Sequence, residues 1–358
     1  MSKYMELVMW IKEQIMLEKL LLGEKLYTEQ KLAKLFQVSR QTVRHAIQIL
    51  EQEGIVYRVQ GGGTYIKNID FINKTNYLPI LFITSFENTS QFLSMKQGME
   101  HILSISCQKY SLQIAVTHNQ IEKEKIILEH IIKHKQISAI LVETVTSGLP
   151  NPNLYLYKKI HKCRIPILFL NSYYPALKMP HIGIDNYMIG KKAVQYLLSR
   201  GHKKIGAMFL LDDIQGYQRY AGFTEEIIKA GLLLQQNSII WFDTKDIREL
   251  EKLEEKILDR FESCTSIFCY NDEVAFYLME LLKKQGIAVP EEVSILSVDD
   301  SEFAIKGEIK LSTIINPLEK IGEKAMEHIL KRIKEPMWNE TYKWGIEIKE
   351  RDSVKNYK

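Results

Sequence analysis

Several residue types and patterns are scarce in this 358-residue chain, and each scarcity excludes something. There are four cysteines, Cys107, Cys163, Cys264 and Cys269, with no C-x-x-C pair and no accompanying His/Cys cluster. That argues against a zinc site, and the four read as small buried hydrophobes in a reducing compartment. No run approaches the ~20 consecutive apolar residues of a membrane span. Lys3, Glu6, Lys12 and Glu13 interrupt the early apolar positions, so no secretion signal is expected and a cytoplasmic location is. Charge is nearly balanced at +4, too small by itself to identify a nucleic-acid partner. Catalytic patterns are missing too: no G-x-S-x-G, P-loop, H-E-x-x-H or G-x-G-x-x-G stands where its context demands. The histidines are scattered and lack a partnered Ser or Cys. No enzyme activity, metal or cofactor is therefore expected.

What is present is ordinary globular composition, 46% apolar and 26% charged, over a length that fits roughly two or three domains. Residues 1–67 hold ten Lys/Arg against seven Glu, a modest local excess of positive charge. Leu7, Trp10, Ile11, Ile15 and Leu17 recur at helical spacing. Gly23 closes a turn, and Thr28 is placed to cap a second helix with Leu32, Ala33 and Leu35 facing inward. Ser39 is placed to cap a third helix, with Val43, Ala46, Ile47 and Leu50 facing inward and Gly54 as its stop. Two β-like segments, Ile55–Val59 and Thr64–Ile66, flank Gly61-Gly62-Gly63, whose glycines permit a tight hairpin tip. Helix, helix, turn, helix and hairpin is the plan of a winged helix-turn-helix. Arg40, Gln41, Arg44 and His45 fall on the outer face of the third helix. Arginine forks suit guanine or phosphate, and Gln suits adenine.

The run from Leu21 to Ile66 resembles the GntR-type DNA-binding domain, through Gly23, Leu26, Glu29, Leu32, Val38, Ser39, Arg40, Thr42, Val43, Arg44, Leu50, Gly54, Gly61, Gly63 and Thr64. Tyr27 stands where many members have Pro, and Gly62 where many have Arg. The triple glycine preceded by Gln60 instead looks like the arabinose-repressor branch. The resemblance implies double-stranded operator DNA as partner. Its contacts would be Glu29, Ser39, Arg40, Gln41, Thr42, Arg44, Gln60, Gly61 and Gly62, with Lys3 and Tyr4 on phosphates. Taken alone, Arg40 and Arg44 would be a solvated helix face, and Glu29 a residue placed for the helix dipole.

Residues 68–77 are polar, lack helical periodicity and read as a linker between domains at 1–67 and 78–358. Beyond them, apolar β-rich runs (Ile80–Thr84, Leu112–Thr117, Ile137–Val142, Ile165–Leu170, Lys204–Leu210, Ile239–Phe242, Ser266–Tyr270, Val293–Val298) alternate with helical stretches. The helical stretches are Gln91–Ser104, Ile121–Lys133, Tyr187–Arg200, Tyr217–Ala230, Asp246–Phe261 and Glu273–Gln285. The fold class is α/β with parallel sheet covered on both faces, and the length predicts two lobes. Ligands of such folds sit beyond the C-terminal ends of the strands.

IGIDNYMIGKKAVQYLLSRGHKKIGAM, QGYQRYAGFTEEIIKAGL and IFCYNDEVAFYLMELLKKQGIAVPEEVSILSVDDSEFA are similar to the LacI/GalR-type effector domain, which has the two-lobed periplasmic-binding-protein fold. Ser297-Val298 departs from the Gly-aromatic pair usual before the two aspartates, a change expected to alter one wall of the cleft. The resemblance implies effector contacts at Asn171, Arg219, Asn271 and Asp299. Glu87 and Tyr173 join them as a hydroxyl acceptor and a stacking ring; Phe86, Tyr217 and Tyr270 stand near strand ends as further aromatics. Asp185 and Asp272 read as helix caps instead, and Arg219 by itself would be a surface arginine. A GntR-type reader joined to a LacI-type sensor is the plan of the arabinose repressors. It implies a homodimer on a pseudo-palindromic operator, released by a small sugar such as L-arabinose, with no membrane involvement. Another sugar or a purine-like effector, acting as inducer or corepressor, is the alternative.

Overall fold

A computed structural model describes residues 3–16, 20, 24–52, 55–59, 62–66, 78–87, 89–106 and 110–357. The chain divides into two compact units, Met1–Tyr77 and Leu78–Lys358. Gly23, Gly54, Gln60, Gly61, Cys107 and the linker lie outside the described residues.

The first unit has helices α1 (Lys3–Met16), α2 (Glu29–Phe36) and α3 (Arg40–Gln52), then an antiparallel hairpin of β1 (Val56–Val59) and β2 (Gly63–Ile66). Leu7, Ile11, Leu32, Val43, Ile47 and Leu50 form its core, with Ile66 inserted from the hairpin. The predicted caps are in place: Thr28 Oγ1 accepts from Lys31 N at 3.2 Å and Ser39 Oγ from Thr42 N at 3.1 Å. Each satisfies an amide that the helix leaves unpaired. Between α2 and α3 the chain turns at Gln37 in the left-handed region (φ 50). The hairpin is fixed to the body because Leu26 N donates to Thr64 O (2.8 Å) and Ile66 N to Glu24 O (2.9 Å).

The second unit contains two sheets, and the chain crosses between them. It first builds β3 (Leu78–Thr84), α4 (Ser90–Ile105), β4 (Tyr110–Val116), α5 (Ile121–His134), β5 (Ala139–Val142), α6 (Leu154–Lys162), β6 (Ile167–Leu170) and β7 (His181–Ile184). It then enters a second lobe with α7 (Asn186–Ser199), β8 (Ile205–Leu210), α8 (Ile214–Lys229), β9 (Ile239–Phe242), α9 (Glu254–Phe261), β10 (Ser266–Cys269), α10 (Asp272–Lys284), β11 (Ser294–Asp299), α11 (Phe303–Lys306) and β12 (Ser312–Ile315). At Asn316-Pro317 it returns to the first lobe for α12 (Leu318–Lys334) and β13 (Tyr342–Trp344), and a third crossing brings β14 (Ile348–Lys349) to the second. The sheet orders are β13-β7-β6-β5-β3-β4 and β14-β12-β11-β10-β8-β9. All neighbours are parallel except β12 and β14. Strands such as Ala139–Val142 and Ile167–Leu170 are buried at every position, as sheets covered on both faces require. In each lobe one helix pair packs through glycines, Gly98 with Gly322 and Gly190 with Gly222.

Four expectations need correction. Leu35 does not face inward but is 57% exposed, because the inner stripe of α2 runs through Leu32, Ala33 and Phe36. The stretch Asp246–Phe261 is not one helix: a 3-10 segment, Asp246–Leu253, leaves helical geometry at Glu249 (φ −125, ψ 26) before α9 begins. Glu251 and Glu255 would repel at i,i+4 in a continuous helix. Cys163 is exposed at the end of α6, whereas Cys264 and Cys269 are buried. Asp272 does not cap α10; Asn271 does, accepting from Val274 N at 3.0 Å, while Asp272 is fully buried inside the lobe. Strands β7, β12, β13 and β14 and helices α6, α11 and α12, not expected from the sequence patterns, complete both lobes. Among the described residues no helix is long and apolar enough to cross a membrane.

Candidate functional site

Two sites can be built from these elements, one in each unit. In the first, α3 buries Val43, Ala46, Ile47 and Leu50 and thereby turns Arg40, Gln41, Arg44, His45 and Gln48 outward. A shallow depression beside this face is lined by Tyr4, Ser39, Gln41, Thr42, Arg44 and His45, among others. Tyr4 reaches it from α1, standing edge-on to His45 with ring centroids 4.6 Å apart. Glu29 opens α2 and accepts from Arg44 Nε at 2.8 Å, holding that guanidinium with its remaining N–H groups turned to solvent. Thr42 is tied to the cap through Ser39, Oγ to Oγ1 at 2.9 Å. Lys3 is exposed one residue before Tyr4. Gly62 closes the described side of the wing turn, its N–H donating to Val59 O (2.9 Å) and its carbonyl accepting from Tyr65 OH (3.3 Å). This exposed face of α3 carries hydrogen-bond donors and positive charge. Such a surface suits a duplex groove and its phosphates.

The second site lies where the strands of the two lobes end and face each other. Arg219, on α8, is 2% exposed, which removes the surface-arginine reading. Its Nε donates to Asn186 Oδ1 (2.9 Å), one Nη to the Tyr270 carbonyl and the other to Gln215 Oε1 (3.2 Å). Its guanidinium lies 4.6 Å from the centre of the Tyr270 ring. Asp299 ends β11 in the left-handed region at φ 121 and is 7% exposed. It accepts from Gln91 Nε2 of the other lobe (2.9 Å) and from Asn316 Nδ2 (3.1 Å). Burial lifts its carboxyl to about 7, against the pull of the Arg219 charge. Asn171 follows β6 at φ 59, with Nδ2 3.5 Å from Met95 Sδ. Tyr173 spans the lobes: its hydroxyl accepts from Gln218 Nε2 (2.9 Å) and its ring stacks on His181 (3.9 Å). Glu87 is half-buried after β3, next to an exposed Phe86.

Arg219 and Asp299 thus act on each other electrostatically, while the amide of Asn271 is engaged in capping α10. Tyr270 and Tyr217 are packing residues: the Tyr270 hydroxyl donates to Asp213 (2.8 Å), and Tyr217 lies against Trp241 (5.2 Å). Ser297 does not line the cleft. Its hydroxyl donates inward to Asp272, which also accepts from Thr313 Oγ1 (2.7 Å) and Ser301 N (2.7 Å). Gln91, Glu143, Asn186 and Asn316 escaped sequence reasoning. Glu143 directly follows a strand that had been recognised, so inspection of strand ends could have found it. Asn316 follows β12, which had not been recognised.

Unpaired buried polar atoms give the cleft its chemical character. Asn171 Oδ1 and Asn316 Oδ1 are buried without a partner, in a region that also holds the carboxyl of Asp299. Buried polar atoms are ordinarily paired. Acceptors therefore exceed donors here, and a ligand rich in hydroxyl donors would balance them.

Comparison with known proteins fits both units. Residues 3–66 match the model of the bacterial regulatory proteins of the gntR family, and residues 194–354 that of the periplasmic binding protein-like domain. The arabinose metabolism transcriptional repressor of Halalkalibacterium halodurans is 35% identical over 93% of this chain and 90% of its own length. Its namesake from Geobacillus stearothermophilus is 30% identical over 94% and 92%. Among solved structures, the transcription regulator CcpA of Lactococcus lactis superposes with a TM-score of 0.69, covering 78% of this chain and all of its own at 23% identity, a likeness of fold. The chain belongs to the family of the arabinose metabolism transcriptional repressors, in which a gntR-type DNA-binding unit precedes a periplasmic-binding-protein-like unit.

Proposed function

We propose that the chain is a sugar-responsive repressor, with residues 1–67 as operator reader, 68–77 as tether and 78–358 as sensor. It binds a pseudo-palindromic operator as a homodimer and is released by a small neutral sugar, L-arabinose being the first candidate. The observation that carries the sugar reading is the surplus of buried acceptors around Asp299, because sugar hydroxyls are the donors that would pair them. The two relatives named for arabinose metabolism support the choice of pentose. Sugar binding would favour one arrangement of the lobes and hence of the tethered readers. A coupling of ~1–3 kcal/mol changes operator affinity about 5–150-fold.

Thermal unfolding with a panel of pentoses and hexoses tests the effector. A ligand that binds only the native state raises the midpoint, by the equivalent of about 2.7 kcal/mol at a hundred times its Kd. An operator selected from random duplexes, followed by fluorescence anisotropy with and without L-arabinose, tests the response. Tighter DNA binding with sugar would replace induction by corepression. Light scattering should give twice the 41.8 kDa of one chain.

Arg44→Ala should weaken that operator by about 1–3 kcal/mol, the range for a lost base-edge contact. Its ion pair with Glu29 is exposed and contributes little to stability, so the unfolding midpoint should hardly move. Unchanged DNA affinity would remove Arg44 from the contacts.

Sugar affinity should also depend on pH through Asp299. In the free protein this carboxyl titrates near 7, whereas hydroxyl donors stabilise its charged form in the complex. The complex then holds fewer protons than the free protein, so affinity rises with pH, about tenfold between pH 6 and 8 for one such group. Calorimetric titration measures the slope, and Asp299→Asn should flatten it.

A further inference from the structure

The segment from Glu143 to Asn151 joins β5 to α6, yet part of it leaves the first lobe and touches the second. Both of its ends are anchored. At the start, Glu143 accepts from Thr84 Oγ1, and Val145 N donates to Tyr174 OH at 2.9 Å. At the end, Asn151 Nδ2 donates to Tyr174 OH and to Glu124, both at 2.8 Å. Glu124 is a fully buried carboxylate that also accepts from Asn153 (2.9 Å), Tyr157 (2.8 Å) and Tyr174 (2.7 Å). A knot so completely bonded carries the segment as a rigid part of the first lobe.

Its tip meets the turn that opens α8. Ser147 Oγ donates to Asp213 Oδ1 (2.8 Å) and accepts from Ile214 N (3.0 Å), while Gly148 N donates to Asp212 O (3.2 Å). The fit leaves no room at residue 148. A Cβ there would stand 2.6 Å from Leu211 O, 2.9 Å from Asp213 N and 2.8 Å from the Tyr217 ring. Two of these are backbone atoms of the other lobe. The turn it grips leads to the effector site: Asp213 caps α8, which carries Arg219, and accepts from Tyr270 OH, whose ring lies under the Arg219 guanidinium.

We infer that the Ser147-Gly148 tip is a cross-lobe strap that sets how far the lobes close, and so couples effector binding to operator release. Ser147 and Gly148 are positioning residues; they act through the turn at Asp213 and do not touch the effector. This rests on the sugar-responsive reading above, but part of its test is independent of any sugar.

Gly148→Val obstructs the strap, and Ser147→Ala removes one acceptor and one donor without adding bulk. In the intact full chain without sugar, hydrogen exchange at the Ile214 amide reads strap engagement. Exchange there should quicken at least about tenfold in Gly148→Val. Ser147→Ala deletes the acceptor of the Ile214 amide, so engagement is read instead at the Gly148 amide, which donates to Asp212 O and should also exchange faster. Operator affinity should stay near the parent value. L-Arabinose affinity should fall about tenfold in Gly148→Val, because only the engaged fraction binds well. Parental Ile214 protection in Gly148→Val, or parental Gly148 protection in Ser147→Ala, would overturn the strap. Parental L-arabinose affinity together with fast exchange would overturn its coupling to release. If L-arabinose does not bind the parent protein either, the pentose reading fails, and the exchange comparison still decides the strap. Should Gly148→Val not fold, Ser147→Ala supplies the same comparison.

Discussion

Arg219→Ala should abolish the response to L-arabinose while leaving operator affinity within about twofold of the parent. The reader is a separate compact unit with its own core. Within the cleft the loss is threefold. The Tyr270 carbonyl, Asn186 Oδ1 and Gln215 Oε1 each lose a charge-assisted donor inside a buried site. A space opens above the Tyr270 ring. Asp299, already near 7 through burial, loses the neighbouring positive charge that counteracts it and becomes a neutral acid at pH 7. A neutral Asp299 is a poorer acceptor for sugar hydroxyls. Acceptors left unpaired cost about 1–3 kcal/mol each, so the variant should also unfold at lower denaturant concentration. Arg219→Lys should recover part of the stability and the charge without the planar fork, giving a weakened response. Anisotropy with operator DNA and rising L-arabinose measures this directly. A variant released at the parental sugar concentration would place the effector elsewhere.

How much could be read beforehand differs between the two units for physical reasons. In the reader, each local signal is short-range: Thr28 and Ser39 cap helices that begin at the next residue, and Val43, Ala46, Ile47 and Leu50 repeat at the spacing of one buried face. The sensor is legible as alternation, because Ile167–Leu170 or Ala139–Val142 are apolar on both faces. Its shortest strands are not. Ser312–Ile315 begins with two hydroxyl residues, Ser312 and Thr313, and Thr313 Oγ1 is satisfied by a distant carboxylate, Asp272. Asp272 itself reads as a cap because its partners, Ser297, Ser301 and Thr313, are remote in sequence. Arg219 has the same difficulty. Its burial depends on Asn186 and Tyr270, which lie 33 and 51 positions away, so no local window distinguishes it from a surface arginine. Strand ends identify where side chains converge, but which amides remain unpaired there, as Asn171 Oδ1 and Asn316 Oδ1 do, is a property of the assembled cleft.

Gly222→Val should be among the most damaging single changes in the sensor. Gly222 on α8 packs directly on α7: a Cβ would lie 1.9 Å from the Tyr187 carbonyl oxygen and 3.1 Å from Lys191 N. The contact is reciprocal, since a Cβ at Gly190 would stand 2.0 Å from the Arg219 carbonyl oxygen and 2.6 Å from Phe223 N. These obstacles are helix backbone, so relief requires the two helices to move apart. Separation would uncover Phe223, Ile227, Ala193 and Val194, all in the core shared with β8 and β10. Overpacking of this kind typically costs 1–3 kcal/mol, occasionally more, and a collision with main chain belongs at or above the upper end, about 3 kcal/mol. For a valine the intrinsic helix preference nearly matches that of many tolerated residues and improves on glycine, so propensity works in the opposite direction. That opposition makes the test clear. If local propensity dominated, the unfolding midpoint in urea would rise; if helix contact dominates, it falls at constant slope. Because α8 also carries Arg219 and begins at the turn gripped by Ser147, the same displacement should weaken L-arabinose binding while the reader keeps its DNA affinity. A Gly222→Val protein with parental stability and parental sugar affinity would mean that α7 and α8 do not pack at this distance.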